Sequence, residues 1–278
     1  MRRRDFVAAG FVCLAAPAWA AGRSKDRLVV KGAMEQGSLA LGYADPKATV
    51  TVDGQAVRLS PEGVFAFGFA FDQTKPSIVA VTWRDGEIET QSYAPTARQY
   101  DIQHINGLPQ NTVTPPPEVL ARIKQEAGEI YAARQRDTSG DDFLAGFDWP
   151  APGIESGVFG SQRIDNGVPM APHFGVDMAA PTGTPIHAPA DGTVSLSADH
   201  YLNGGFTLID HGQGVSTSYL HQSKRLVKDG DVVKRGRLIG EIGKTGRATG
   251  PHLHWAMNWF EVKLDPSRST RKVKPDRL

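Results

Sequence analysis

The chain has 278 residues, enough for about two domains of ordinary size. Hydrophobic residues make up 40% and charged residues 22%, a globular balance that excludes a mostly disordered chain. A formal net charge of +1 supplies no global basic field, which excludes a nucleic-acid binder. A mean hydropathy of −0.32 excludes an integral multispanning membrane protein.

The first twenty residues read as an export signal. Arg2, Arg3 and Arg4 precede an uncharged, mostly apolar stretch that ends in Ala18-Trp19-Ala20, a small-x-small cleavage site. The run Arg3-Arg4-Asp5-Phe6-Val7 is also similar to a twin-arginine signal. The expected location is therefore the periplasm or cell envelope. The only cysteine, Cys13, falls inside this segment, so the exported chain can form no disulfide. Any metal site must use histidine and carboxylate.

Residues 21–97 read as a β-sandwich. Residues 28–30 are apolar, residues 48–59 alternate around the turn dipeptide Asp53-Gly54, and residues 64–69, 78–83 and 88–93 are strand-like. Residues 98–145 form a Pro-rich and helical linker. Pro115-Pro116-Pro117 opens a helix that ends near Arg136, with Leu120, Ile123, Ala127, Ile130 and Tyr131 as an apolar stripe for packing. Its charged residues Arg122, Lys124, Glu126 and Glu129 are expected in solvent. Residues 146–267 form a second, mainly β domain, with strands expected at 192–196, 205–210, 214–220, 238–243 and 252–259. Residues 268–278 are a basic tail.

Two histidine patterns in the second domain carry chemistry. His173-Phe174-Gly175-Val176-Asp177 places an imidazole four residues before a carboxylate, and on an extended strand the two share a face. His252-Leu253-His254 puts two imidazoles on one strand face, about 6.6–7 Å apart along the chain. Buried without partners, four such groups cost several kcal/mol; a metal removes that cost. Two histidines and a carboxylate suit a catalytic Zn²⁺, with one position left for water. Periodicity does not choose between His252 and His254. No His-Glu-x-x-His is present, so another group must take the proton from water. The candidates are His221, His211, His200, His187 and the non-ligating member of the His252/His254 pair.

At these residues the chain resembles the lysostaphin-type (LytM-like) zinc metallopeptidases, which are peptidoglycan endopeptidases. The resemblance spans roughly residues 150–267. It is carried by Gly160-Ser161-Gln162-Arg163, His173-Phe174-Gly175-Val176-Asp177, Ala190-Asp191-Gly192-Thr193-Val194, Asp210-His211-Gly212, Tyr219-Leu220-His221 and Gly250-Pro251-His252-Leu253-His254. It implies a C-terminal antiparallel β-sheet domain with a metal groove walled by loops. It implies Zn²⁺ held by His173, Asp177 and His254, with His221 and His252 as the non-ligating catalytic histidines. His211 and Arg163 are candidates for supporting the ligands; an ordinary structural salt bridge is the other reading of Arg163.

The implied activity is zinc-dependent hydrolysis of peptide bonds in peptidoglycan by metal-activated water, on stem peptides or cross-links. A partner in division or wall remodelling is left unidentified. The alternative is a non-catalytic peptidoglycan-binding or amidase-activating protein of the same fold. A lipoyl-type carrier, suggested by residues 227–236, lacks the exposed lysine turn such carriers need.

Overall fold

The computed structural model describes residues 27–271. The expected export signal, residues 1–20 with Cys13, lies outside the described residues, as do residues 272–278 of the tail.

Seven strands come first: β1 (Val29–Gly32), β2 (Leu39–Tyr43), β3 (Thr49–Val52), β4 (Gln55–Val57), β5 (Val64–Gly68), β6 (Ser77–Thr82) and β7 (Ile88–Tyr93). They form two antiparallel sheets, ordered β1-β2-β5 and β4-β3-β6-β7. The β3–β4 hairpin turns at Asp53 and Gly54, with φ of 51° and 81°. Positive φ at both central residues matches the right-handed twist of the strands, which is why Asp-Gly turns here. Val50, Val52, Val79 and Val81 alternate inward to meet Phe65 and Phe67 in one core, as expected of a sandwich.

Strand β2 was not among the expected elements. Gly42 interrupts its pattern, and it is needed there because a Cβ would overlap the Phe65 ring.

All of β5 is buried, because its second face meets the C-terminal half. Gly68 lies against Leu264 and Trp259. The Gln213 side chain pairs with the β5 edge like a strand. Its Nε2 donates to the Val64 carbonyl at 3.1 Å, and its Oε1 accepts from the Ala66 N–H at 3.1 Å.

The middle segment holds β8 (Ile102–Ile105), the short α1 (Gln110–Val113) and α2 (Pro117–Arg134). Pro117 opens α2, where a missing N–H costs nothing. The expected packing of its apolar stripe occurs only in part, with Ile123 and Ile130 half-buried. Leu120 and Tyr131 remain 51% and 55% exposed, and the one buried residue of the helix is Glu126. Glu126 leaves the expected solvated face because its carboxylate accepts the Tyr201 N–H at 2.9 Å and the Arg122 Nε–H at 2.6 Å. A polar anchor thus adds to the partial apolar contact of α2.

The C-terminal half runs β9 (Ile154–Gly157), β10 (Gln162–Asp165), β11 (Val168–Pro169), β12 (Val176–Ala179), β13 (Pro185–His187), β14 (Gly192–His200), β15 (Gly204–Asp210), β16 (Val215–Gln222), β17 (Lys224–Arg225), β18 (Val232–Val233), β19 (Leu238–Glu241), β20 (His252–Trp259) and β21 (Val262–Leu264). Eight of these form one antiparallel sheet, in the order β18-β14-β15-β16-β20-β12-β9, with β21 on β20. Strand β15 is buried along its whole length, its polar Thr207 and Asp210 included. β8 pairs in parallel with β10, so part of the expected linker belongs to a sheet of this half. The chain beyond the last strand is also tied down: Arg271 donates to Asp148 at 2.9 Å, and Arg268 stands 3.3 Å from Glu35. Among the described residues, no helix is long and apolar enough to cross a membrane.

Candidate metal centre

β12 and β20 lie side by side with Asp177 directly opposite His254. Side chains so placed start about 4.5–5.5 Å apart at Cβ, close enough to share one ligand. His252 and His254 follow β20 with the expected period of two. His173 departs from expectation. β12 starts only at Val176, so His173 sits in the loop before it and is not a strand neighbour of Asp177. The loop holds it through its backbone: His173 N–H donates to the Ser161 carbonyl at 2.8 Å, and its own carbonyl accepts from Gly160 N–H at 2.7 Å.

The three side chains converge. His173 Nε2 lies 3.0 Å from Asp177 Oδ1 and 2.8 Å from His254 Nδ1, and His254 Nδ1 lies 2.9 Å from Asp177 Oδ1. Among the described residues these three form a group able to hold a metal ion. His173 Nδ1 faces only the Val158 carbonyl, at 3.0 Å, so its proton belongs there and its Nε2 offers a lone pair. Burial raises the Asp177 pKa, but His173 and Arg163 outweigh it and hold the carboxyl well below the usual range. Burial pushes His254 down to about 4. The donor set is therefore two imidazole nitrogens and one ionised carboxylate, all with lone pairs turned to one point. That set fits Zn²⁺ and needs a positive charge at its centre.

Two more imidazoles stand beside the cluster. The His221 and His252 rings are 4.7 Å apart between centroids. His221 Nδ1 donates to the Thr245 carbonyl at 2.8 Å and His252 Nδ1 to the Gly250 carbonyl at 2.9 Å. Each Nε2 is thus left bare. His252 Nε2 lies 3.8 Å from Asp177 Oδ1, so His254, not His252, gives the third close donor atom. His221 has a φ of 64°, a strained value for a residue with a Cβ. Burial, then repulsion from His252 and His254, pushes its pKa down to about 3.

The sequence profile of peptidase family M23 matches residues 171–266, which hold all five side chains. A crystal structure of a peptidase M23 candidate from Pseudomonas aeruginosa is 30% identical, with a TM-score of 0.66 over 84% of this chain and 94% of that one. The chain belongs to peptidase family M23. Peptidoglycan DD-endopeptidase ShyA of Vibrio cholerae is 49% identical over 88 residues, 32% of this chain and 20% of that protein. Peptidoglycan DD-endopeptidase ShyC of the same organism is 51% identical over 83 residues, 30% of this chain and 19% of that protein. The aligned part spans about a fifth of the length of these curated relatives.

Other expected residues of the M23 domain fall as follows. Arg163 Nη2 donates to Asp177 Oδ2, leaving Oδ1 for the cluster. His211 is fully buried with partners elsewhere: Nδ1 donates to the Asp191 carbonyl and Nε2 faces Thr217 Oγ1 at 2.8 Å. His200, named above as a candidate proton acceptor, is buried against Phe206 at the end of β14. His187 is half-buried on β13. Gly157 escaped the sequence reading. A Cβ there would overlap the Asp177 carboxylate, so the glycine makes room for the ligand. The carbonyls of Val158, Thr245 and Gly250 also escaped it, because backbone groups leave no trace in residue type.

Proposed function

We propose that this protein is a zinc-dependent endopeptidase of bacterial peptidoglycan, acting in the cell envelope with residues 1–20 as its export signal. One observation carries the reading: three converging donor atoms stand beside two imidazoles that each keep a bare Nε2. The M23 relatives named as peptidoglycan DD-endopeptidases support the substrate class.

His173, Asp177 and His254 hold the Zn²⁺. When bound, the ion polarises the scissile carbonyl and acidifies the attacking water. Asp177 contributes one negative charge, and Arg163 keeps that carboxylate ionised and aimed. His221 and His252 move the proton. Both present Nε2 as acceptor, and His252 disfavours charge on His221. The pair can therefore take one proton from water and return it to the leaving amine. Burial holds His221 neutral at neutral pH, so its lone pair is available there.

Digestion of purified cell wall with mass analysis of the fragments tests this. Cleaved stem peptides or cross-links, together with one zinc per chain, are expected. One zinc without cleavage would move the protein to a non-catalytic, wall-binding role.

A further inference from the structure

From the metal cluster a trough of about 400 Å³ runs between the sheet and α2. Its floor is β20, where His254, Ala256 and Asn258 follow one another on the same face, beside Ser218 and Leu220 of β16. At the end away from His254 two cations enter it, Arg134 from α2 and Lys263 from β21. Both are largely withdrawn from water, with side chains 13% and 28% exposed.

Their charges are poorly answered. The nearest anion is Glu261, 3.7 Å from Arg134 Nη1 and 3.9 Å from Lys263 Nζ, beyond hydrogen-bond reach of either, and its side chain is 42% exposed. Arg134 Nε is buried with no hydrogen-bond partner among the described residues. Among the described residues Lys263 Nζ donates to a neutral group, the Asn258 amide oxygen, at 3.2 Å in the amide orientation that satisfies both ends of that side chain. Burial first, then Arg134, pushes the Lys263 amine down to about 8. Two buried cations against one half-exposed anion leave an excess positive charge in a low-dielectric trough, which is costly unless an anion joins them.

We infer that Arg134 and Lys263 form a subsite for a carboxylate of the peptide substrate. The inference deepens the peptidase reading and rests on it. The distance from His254 to Asn258 along β20 is about 13 Å, so an extended peptide would place the carboxylate roughly four residues from the bond cut. The lysine supplies a point charge, and the arginine supplies a planar fork whose Nε–H is still free. On this reading α2 forms one wall of the substrate trough, which accounts for a helix that packs so little of its apolar stripe.

The test uses two probes, a cross-linked stem peptide with free carboxylates and the same peptide with them amidated. Binding to the zinc-loaded full chain is measured by calorimetry, and cleavage is followed in parallel. The free acid should bind about tenfold tighter, and the ratio should fall to near one in Lys263→Met and in Arg134→Gln. Lys263→Arg, which keeps the charge, should retain most of it. Equal binding of the two peptides by the unaltered chain would overturn the subsite, as would discrimination that survives in both neutral variants. Cleavage without discrimination removes the subsite and leaves the peptidase reading intact. Discrimination in binding without any cleavage does the reverse.

Discussion

His173 Nε2 and His254 Nδ1 stand 2.8 Å apart, each also within 3.0 Å of Asp177 Oδ1. With His173 holding its proton against the Val158 carbonyl, these atoms cannot all be satisfied by hydrogen bonds. A cation satisfies the three at once. His173→Ala, Asp177→Ala and His254→Ala should therefore lose zinc and activity together. His221→Ala and His252→Ala should keep about one zinc per chain and lose activity by about 10²–10⁴-fold. Metal analysis and turnover on the five purified variants check the division, and a zinc-free His252→Ala would reassign the ligand.

Arg163 holds the second oxygen of Asp177. Arg163→Gln should weaken zinc binding by about 10–100-fold, read from competition with a chelator. Unchanged affinity would reduce the ion pair to a structural role.

Gly157 lies against the Asp177 carboxylate. Gly157→Ala should push that carboxylate off the cluster and destabilise the fold by about 1–3 kcal/mol. Zinc content together with a denaturant titration checks both effects; a variant with full zinc would refute the steric argument.

Acid should destabilise the protein through His211. Burial pushes its pKa down to about 4 from the ordinary 6.5 of a free imidazole, so the folded protein holds it neutral above that pH. The unfolded chain takes up the proton first. The stability this group contributes is fully present above about pH 6.5 and is lost as pH falls toward 4, about 3 kcal/mol over the whole window. His211→Asn should flatten the fall of unfolding free energy between those pH values. An equally steep slope in the variant would assign the acid sensitivity to other groups.

Gln213 joins the two halves by closing the β5 edge. In Gln213→Ala the Val64 carbonyl and Ala66 N–H lose buried partners, at a cost of about 1–3 kcal/mol. Calorimetry of the full chain would show a lower melting temperature; an unchanged one would mean that water replaces the amide.

Much was legible from residue order. The Asp53-Gly54 turn, the alternating valines of the sandwich and the strand at 252–259 all follow from local patterns with a period of two or a turn residue of set conformation. The cluster was legible as a candidate because a metal site needs particular side chains, and His173, Asp177 and His254 converge as a group that could hold one. What residue order left open was settled by pairing between distant segments. Periodicity alone did not separate His254 from His252; the place of His254 opposite Asp177 rests on a register that joins strands 77 residues apart. The burial of Glu126 and His200, the partial packing of the α2 stripe and the approach of Arg134 to Lys263 depend in the same way on which surfaces approach one another. Local sequence specifies which conformations a segment prefers. Which lone pairs and charges end up sharing one dry space is decided only when the whole chain has packed.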